Sequence, residues 1–234
     1  MVGYVSLVLV VFVCHSISRR QFTYLTGAVC AHLALPAFAQ DKAAIKTLHG
    51  KLDIDGFKAK QTGRIRSQAK QTVFTIGEDA FLADGAFEAD MTLDDTGLVK
   101  KVAILSGQVL SVLKPAASRN TDLLLPNATG SIRGTGFFVN INAVEAHNYI
   151  CCCYGHIAFQ DSPTGETQEF KNSYHNAVAI DENGQFQKPP FSVPFGHYDD
   201  ELVMLEKQVG RTPHWELPDG KMHFLSPNGV PIKS

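Results

Sequence analysis

Charge of one sign, paired cysteines and long apolar runs are all scarce in this 234-residue chain. Lysine and arginine number 21 against 23 aspartates and glutamates, a formal net charge of −2. That leaves no basic surplus to hold nucleic acid or to seat the chain on an anionic membrane. Of five cysteines, three are adjacent, Cys151, Cys152 and Cys153, and consecutive residues cannot build a disulfide framework. The apolar run from Val2 to Val13 falls short of the ~20 residues that a membrane-spanning helix requires. There is no Gly-rich phosphate loop, no Gly-x-Ser-x-Gly elbow and no His-Glu-x-x-His, so the common nucleotide-binding, hydrolase and metalloprotease motifs are missing.

What is present begins with a leader. Ser18, the pair Arg19 and Arg20, and Phe22 form the pattern of a twin-arginine export signal, followed by an apolar stretch from Leu25 to Leu35. Ala37 and Ala39 supply the small-x-small pattern of a signal peptidase site, which predicts cleavage before Gln40. An ordinary secretory leader with a basic flank is the other reading; both carry the chain out of the cytoplasm. The expected location is the periplasm, with membrane attachment only through an uncleaved leader, which would anchor the body to the inner membrane facing outward. The twin-arginine route carries folded proteins, often with a cofactor already seated.

The remaining chain, residues 40–234, is long enough for one core. Nineteen glycines and eleven prolines among 44% hydrophobic residues predict short elements cut by turns. Alternating segments at 72–76, 80–82, 99–105, 109–113, 136–139 and 149–153 read as strands. Asp94-Asp95-Thr96-Gly97, Ser106-Gly107, Pro126 to Gly130 and Asp181 to Gly184 read as turns between them. The fold class expected is all-β, an antiparallel β-sandwich or jelly-roll-like domain over 40–180, with a C-terminal extension over 181–234. That extension carries one short helix at about 199–209, capped by Asp199 and stopped by Gly210.

Three stretches resemble the FecR domain family: Thr72 to Leu82, Leu105 to Leu113, and Ala128 to Gly136 with its Arg133-Gly134-Thr135-Gly136 element. Together they span roughly residues 50 to 160. The chain is most similar to an exported subgroup in which that element is followed by Cys-x-Cys-Tyr-Gly, a downstream His and an acidic helix start, here Cys151, Cys153, Tyr154, Gly155, His175 and His197 to Leu202. The resemblance implies an extracytoplasmic β domain that binds or signals, its partner an unidentified periplasmic protein or small ligand. FecR proteins proper couple an outer-membrane receptor to a sigma factor through a cytoplasmic segment. No such segment is visible here, so only the domain type carries over. Arg133 to Gly136 reads as a structural turn, with Arg133 forking onto a carboxylate or carbonyls.

The chemistry-bearing residues lie downstream. On a strand, Cys151 and Cys153 share one face and Cys152 takes the other. At ~3.3 Å rise per residue their Cα atoms stand ~6.6 Å apart, at the outer limit of disulfide geometry. Same-face thiols suit one shared ion, and zinc takes four Cys and His ligands; His175 and His197 complete the set, with His147 and His156 as substitutes. Iron or copper would accept the same donors. Two other readings stand beside this one: buried cysteines packing as small apolar side chains, and thiols used for redox or intermolecular pairing. The expected function is accordingly a non-catalytic binding or signalling module with a metal site. The alternative is a metal- or thiol-dependent periplasmic redox protein or enzyme.

Overall fold

The computed structural model describes residues 45–57, 61–115, 119–144, 147–160, 164–172, 174–190, 192–213 and 215–232. The chain divides into Met1–Ala39 and Gln40–Ser234, and every described residue belongs to the second unit. Arg19, Arg20, Ala37 and Ala39 lie outside the described residues.

Among the described residues, twelve strands make one sheet: β1 (Ile45–His49), β2 (Asp53–Gly56), β3 (Thr62–Ser67), β4 (Gln71–Ile76), β5 (Asp79–Leu93), β6 (Val99–Val112), β7 (Thr121–Leu125), β8 (Ala128–Val144), β9 (His147–Gln160), β10 (Thr167–Asn172), β11 (Asn176–Ile180) and β12 (Phe186–Gln187). The order runs β1-β4-β5-β6-β7-β8-β9-β11-β12, with β2 and β3 added on β5 and β10 on β9. All pairings are antiparallel except β6 with β7, which is parallel over three residues. The fold is thus the mostly-β, essentially antiparallel one expected, with the strand part reaching Gln187 rather than residue 180 because β12 pairs with β11.

Four strands are far longer than the four to seven residues expected. Ser106-Gly107 and Arg133 to Gly136, both read as turns, lie inside β6 and β8, where the chain bends and the register shifts without leaving the sheet. Each long strand serves different neighbours along its length. The first half of β5 pairs with β4 and the second with β3; β9 takes β11 early and β10 late. The turns at 94–97 and 181–184 are where the sequence places them, each closed by an aspartate side chain that accepts main-chain N–H groups.

Alternation along these strands makes two apolar layers. One face gathers Ile65, Phe74, Phe87, Phe137, Phe159 and Ile180 from strands β3 to β11 into a single core, so the sheet curls around it. The other face carries Val73, Leu82, Leu110, Val112 and Phe138, and is covered by α1 (Asp199–Gln208) through Leu202, Met204 and Leu205. This helix matches the expected span, but Tyr198 holds the cap position and Asp199 is the first helical residue. Its end closes as predicted: Gly210 at φ +70° donates to Lys207, and Arg211 to Glu206 at 2.8 Å, a Schellman arrangement.

Candidate metal centre

Strand β9 is central, with β8 on one side and β11 on the other. Its alternation sends Cys152 into the inner core and Cys151 toward the helix-covered face, as the sequence requires. Cys153 joins Cys151 for a further reason. Gly136 pairs with Tyr154 but the next residue, Phe137, pairs with Cys152, so Cys153 is the extra residue of a β-bulge. The glycines opposite are a steric requirement: a Cβ on Gly136 would overlap the Tyr154 ring, and one on Gly134, at φ +50°, would overlap Pro115. The Arg133 to Gly136 element is therefore a bend that shapes β9, not a turn. Arg133 is exposed and donates to Asn120 Oδ1 at 3.4 Å; Thr135's side chain is outside the described set.

His175 and His197 arrive from two other segments. The connection between β10 and β11 places His175 at φ +34°, and its N–H donates to the Cys153 carbonyl at 3.0 Å, tying that turn to β9. His197, just before α1, stacks on Phe138 with ring centroids 4.5 Å apart. Cys151 Sγ lies 3.5 Å from His175 Nδ1, Cys153 Sγ 3.3 Å from His197 Nε2, and the two nitrogens 3.3 Å from each other. All four donor atoms fall within 4.8 Å of one another. A tetrahedral ion with Zn–N bonds of roughly 2.0–2.1 Å and Zn–S bonds of roughly 2.3 Å sets nitrogens ~3.3 Å apart and nitrogen from sulfur ~3.6 Å. The short distances match that figure.

Both imidazoles are turned so that their second ring nitrogen faces the cluster. His175 Nε2–H donates to Asp199 Oδ1 at 2.9 Å, and His197 Nδ1–H to the Phe195 carbonyl at 2.9 Å. These outer partners fix the tautomer and ring orientation, as they do around metal-bound histidines. Asp199 is itself held by the Tyr174 hydroxyl at 2.8 Å and by the His223 and Phe224 amides. Two imidazole nitrogens and two sulfurs thus converge on one point with almost no water: Cys151 and Cys153 are 0% exposed and His197 2%. Such convergence of donors is unfavourable until a cation or proton sits among them.

Proton affinities in the cluster reflect this crowding. Burial alone lowers the pKa of His175, but its hydrogen bonds to Asp199 and Cys151 outweigh burial and raise it to about 9. Burial raises both thiols. At Cys151 the hydrogen bond from Cys153 and the neighbouring imidazoles overcome it and hold the thiol well below its ordinary value. Cys153 keeps the shared proton and is pushed well up. Asp199 is held below the usual carboxylate range by the hydrogen bonds it accepts, against the burial that raises it.

A scan against models of known protein families gives no match, and a search among curated proteins gives none either. Two crystal structures, both of candidate anti-sigma factors from Parabacteroides distasonis, are similar in part. One aligns over 55% of this chain at 11% identity with a TM-score of 0.44, the other over 62% at 10% identity with a TM-score of 0.34. The aligned part spans 59% of each of those chains. Likeness at this level supports no statement about function.

The four proposed ligands are therefore brought together. The two substitutes are not: His156, beyond the bend of β9, faces Glu169 with Nε2 3.5 Å from its carboxylate, and His147 opens the strand. Sequence reasoning missed the outer shell. Asp199 was read as a helix cap; its place directly after a His-Tyr pair was the only signal. The Phe195 carbonyl has no side-chain signature at all.

Proposed function

We propose that this chain is an exported, FecR-like β domain of jelly-roll type that binds or signals outside the cytoplasm, and that Cys151, Cys153, His175 and His197 hold a structural zinc ion. The observation that carries the metal reading is the pair of imidazoles whose outer N–H groups are engaged, which turns their other nitrogens to 3.3 Å from each other beside two buried sulfurs. Four protein ligands close a zinc shell, whereas a catalytic zinc keeps a position for water or substrate. A redox protein would need an accessible sulfur or an open position, and complete burial of both thiols weighs against that alternative. Export and the FecR relation rest on the leader and strand motifs. Export is tested by fractionating cells that express the chain with Arg19 and Arg20 intact or replaced by lysine.

The test of the metal reading is elemental analysis of protein purified without oxygen or chelator, beside a variant carrying Cys151→Ser and Cys153→Ser. One zinc per wild-type chain and none in the variant is expected. A metal-free wild type would reduce the cysteines to packing.

A further inference from the structure

The four ligands come from two parts of the fold with separate packing. Cys151, Cys153 and His175 belong to the strand domain, while His197 lies in the segment after the last strand. The inner core draws on strands β3 to β11 with Phe186 at its margin, and no described side chain beyond Phe186 joins it. Residues 193–232 pack on the other face instead, through Phe195, Leu202, Met204, Leu205, Trp215 and Ile232. No strand occurs among the described residues of this segment, so it adds nothing to the sheet ladder. Its ten-residue helix is too short to persist alone in water.

Polar ties also join segment and sheet. The Phe195 amide donates to Tyr149, Tyr154 donates to Glu206 at 2.5 Å, and Arg211 donates to the Glu78 carbonyl at 2.5 Å. Asp199 accepts from Tyr174 and from His175, itself a ligand. An ion shared by His197 and the three ligands of the strand domain would tie the two parts together directly.

We propose that the centre is a metal-operated latch: a bound divalent ion fastens residues 193–232 over the outer sheet face, and loss of the ion releases them while the strand domain stays folded. This rests on the metal reading above. An ion that finds four ligands in the fastened state and three in the released one binds the former more tightly, and so shifts the population toward it. Release uncovers the apolar strip of Leu82, Leu110, Val112 and Phe138, which makes the chain metal-responsive rather than merely metal-stabilised.

Hydrogen exchange read by mass spectrometry on the whole chain, zinc-loaded and then chelated, with zinc content measured on the same samples, tests the latch. At zinc about a hundred times its dissociation constant, chelation is expected to speed exchange in α1 by up to about a hundredfold, and by less to the extent that the three ligands of the released state still hold zinc. Amides of β5, β6 and β8 should keep their protection. His197→Ala leaves three ligands in place and should bind zinc more weakly, with α1 exchanging fast even when zinc is present. Unchanged α1 protection after one zinc is removed overturns the latch and leaves the metal site standing. So does loss of protection in β5 and β8 together with α1. A wild type that takes up no zinc overturns the metal reading and the latch with it.

Discussion

His175 is oriented toward the centre by the hydrogen bond that its outer N–H donates to Asp199, and Asp199 is itself fixed by the donors around it. Replacing Asp199 by Asn keeps its volume but removes the charge that orients the ring, and outer-shell losses of this kind cost about 10- to 100-fold in metal affinity. Competition with a chromophoric chelator should show that loss; an unchanged affinity would remove Asp199 from the account. Two residues along, Glu201 is buried on the sheet side of α1, and burial raises its pKa to about 8 despite the hydrogen bond it accepts from the Tyr198 amide. Its folded value lies above the 4.5 of an ordinary glutamate, so its contribution to stability is fully present below about pH 4.5 and is lost as pH rises toward 8. Glu201→Gln should flatten the urea midpoint over that window and raise it at pH 8 and above. A variant with the wild-type pH profile would contradict the assignment. At this scale the sequence exposed the donors themselves, because Cys and His are rare and the strand period assigns their faces. It concealed the partners, since a backbone carbonyl has no signature and an aspartate at a helix start has an ordinary explanation in the helix dipole.

Strand β9 presents its two thiols to one point through alternation at Cys151 and a bulge at Cys153, and β8 makes room for the bulge by lacking a side chain at Gly136. Gly136→Ala should drive a methyl group into the Tyr154 ring, displace the bulge and weaken metal binding, with the rest of the sheet preserved. Zinc affinity measured beside the far-ultraviolet circular dichroism separates these effects; full affinity in a folded variant would show the bulge to be dispensable. Short strands and their faces could be read from alternation. The four long strands could not, because Ser106-Gly107 and Arg133 to Gly136 have turn composition yet serve as bends within continuous pairing. Local composition does not tell a chain that reverses from one that bends and continues. Only the neighbours of each half, such as β7 and β6 along β8, decide it.

Across the whole described unit, the sheet closes an inner core and α1 closes an outer layer, and the buried group of two sulfurs and two imidazoles lies in that outer layer. A metal there joins strand, turn and helix, and its loss is felt first where the packing is thinnest. Acid should have the same effect as chelation, since protons compete with metal for thiolates and imidazoles. The most direct measurement is X-ray absorption at the zinc edge on protein isolated with its native metal. The account predicts one zinc bound by two sulfurs at about 2.3 Å and two imidazole nitrogens at about 2.0 Å. A shell of oxygen and nitrogen without sulfur would contradict it.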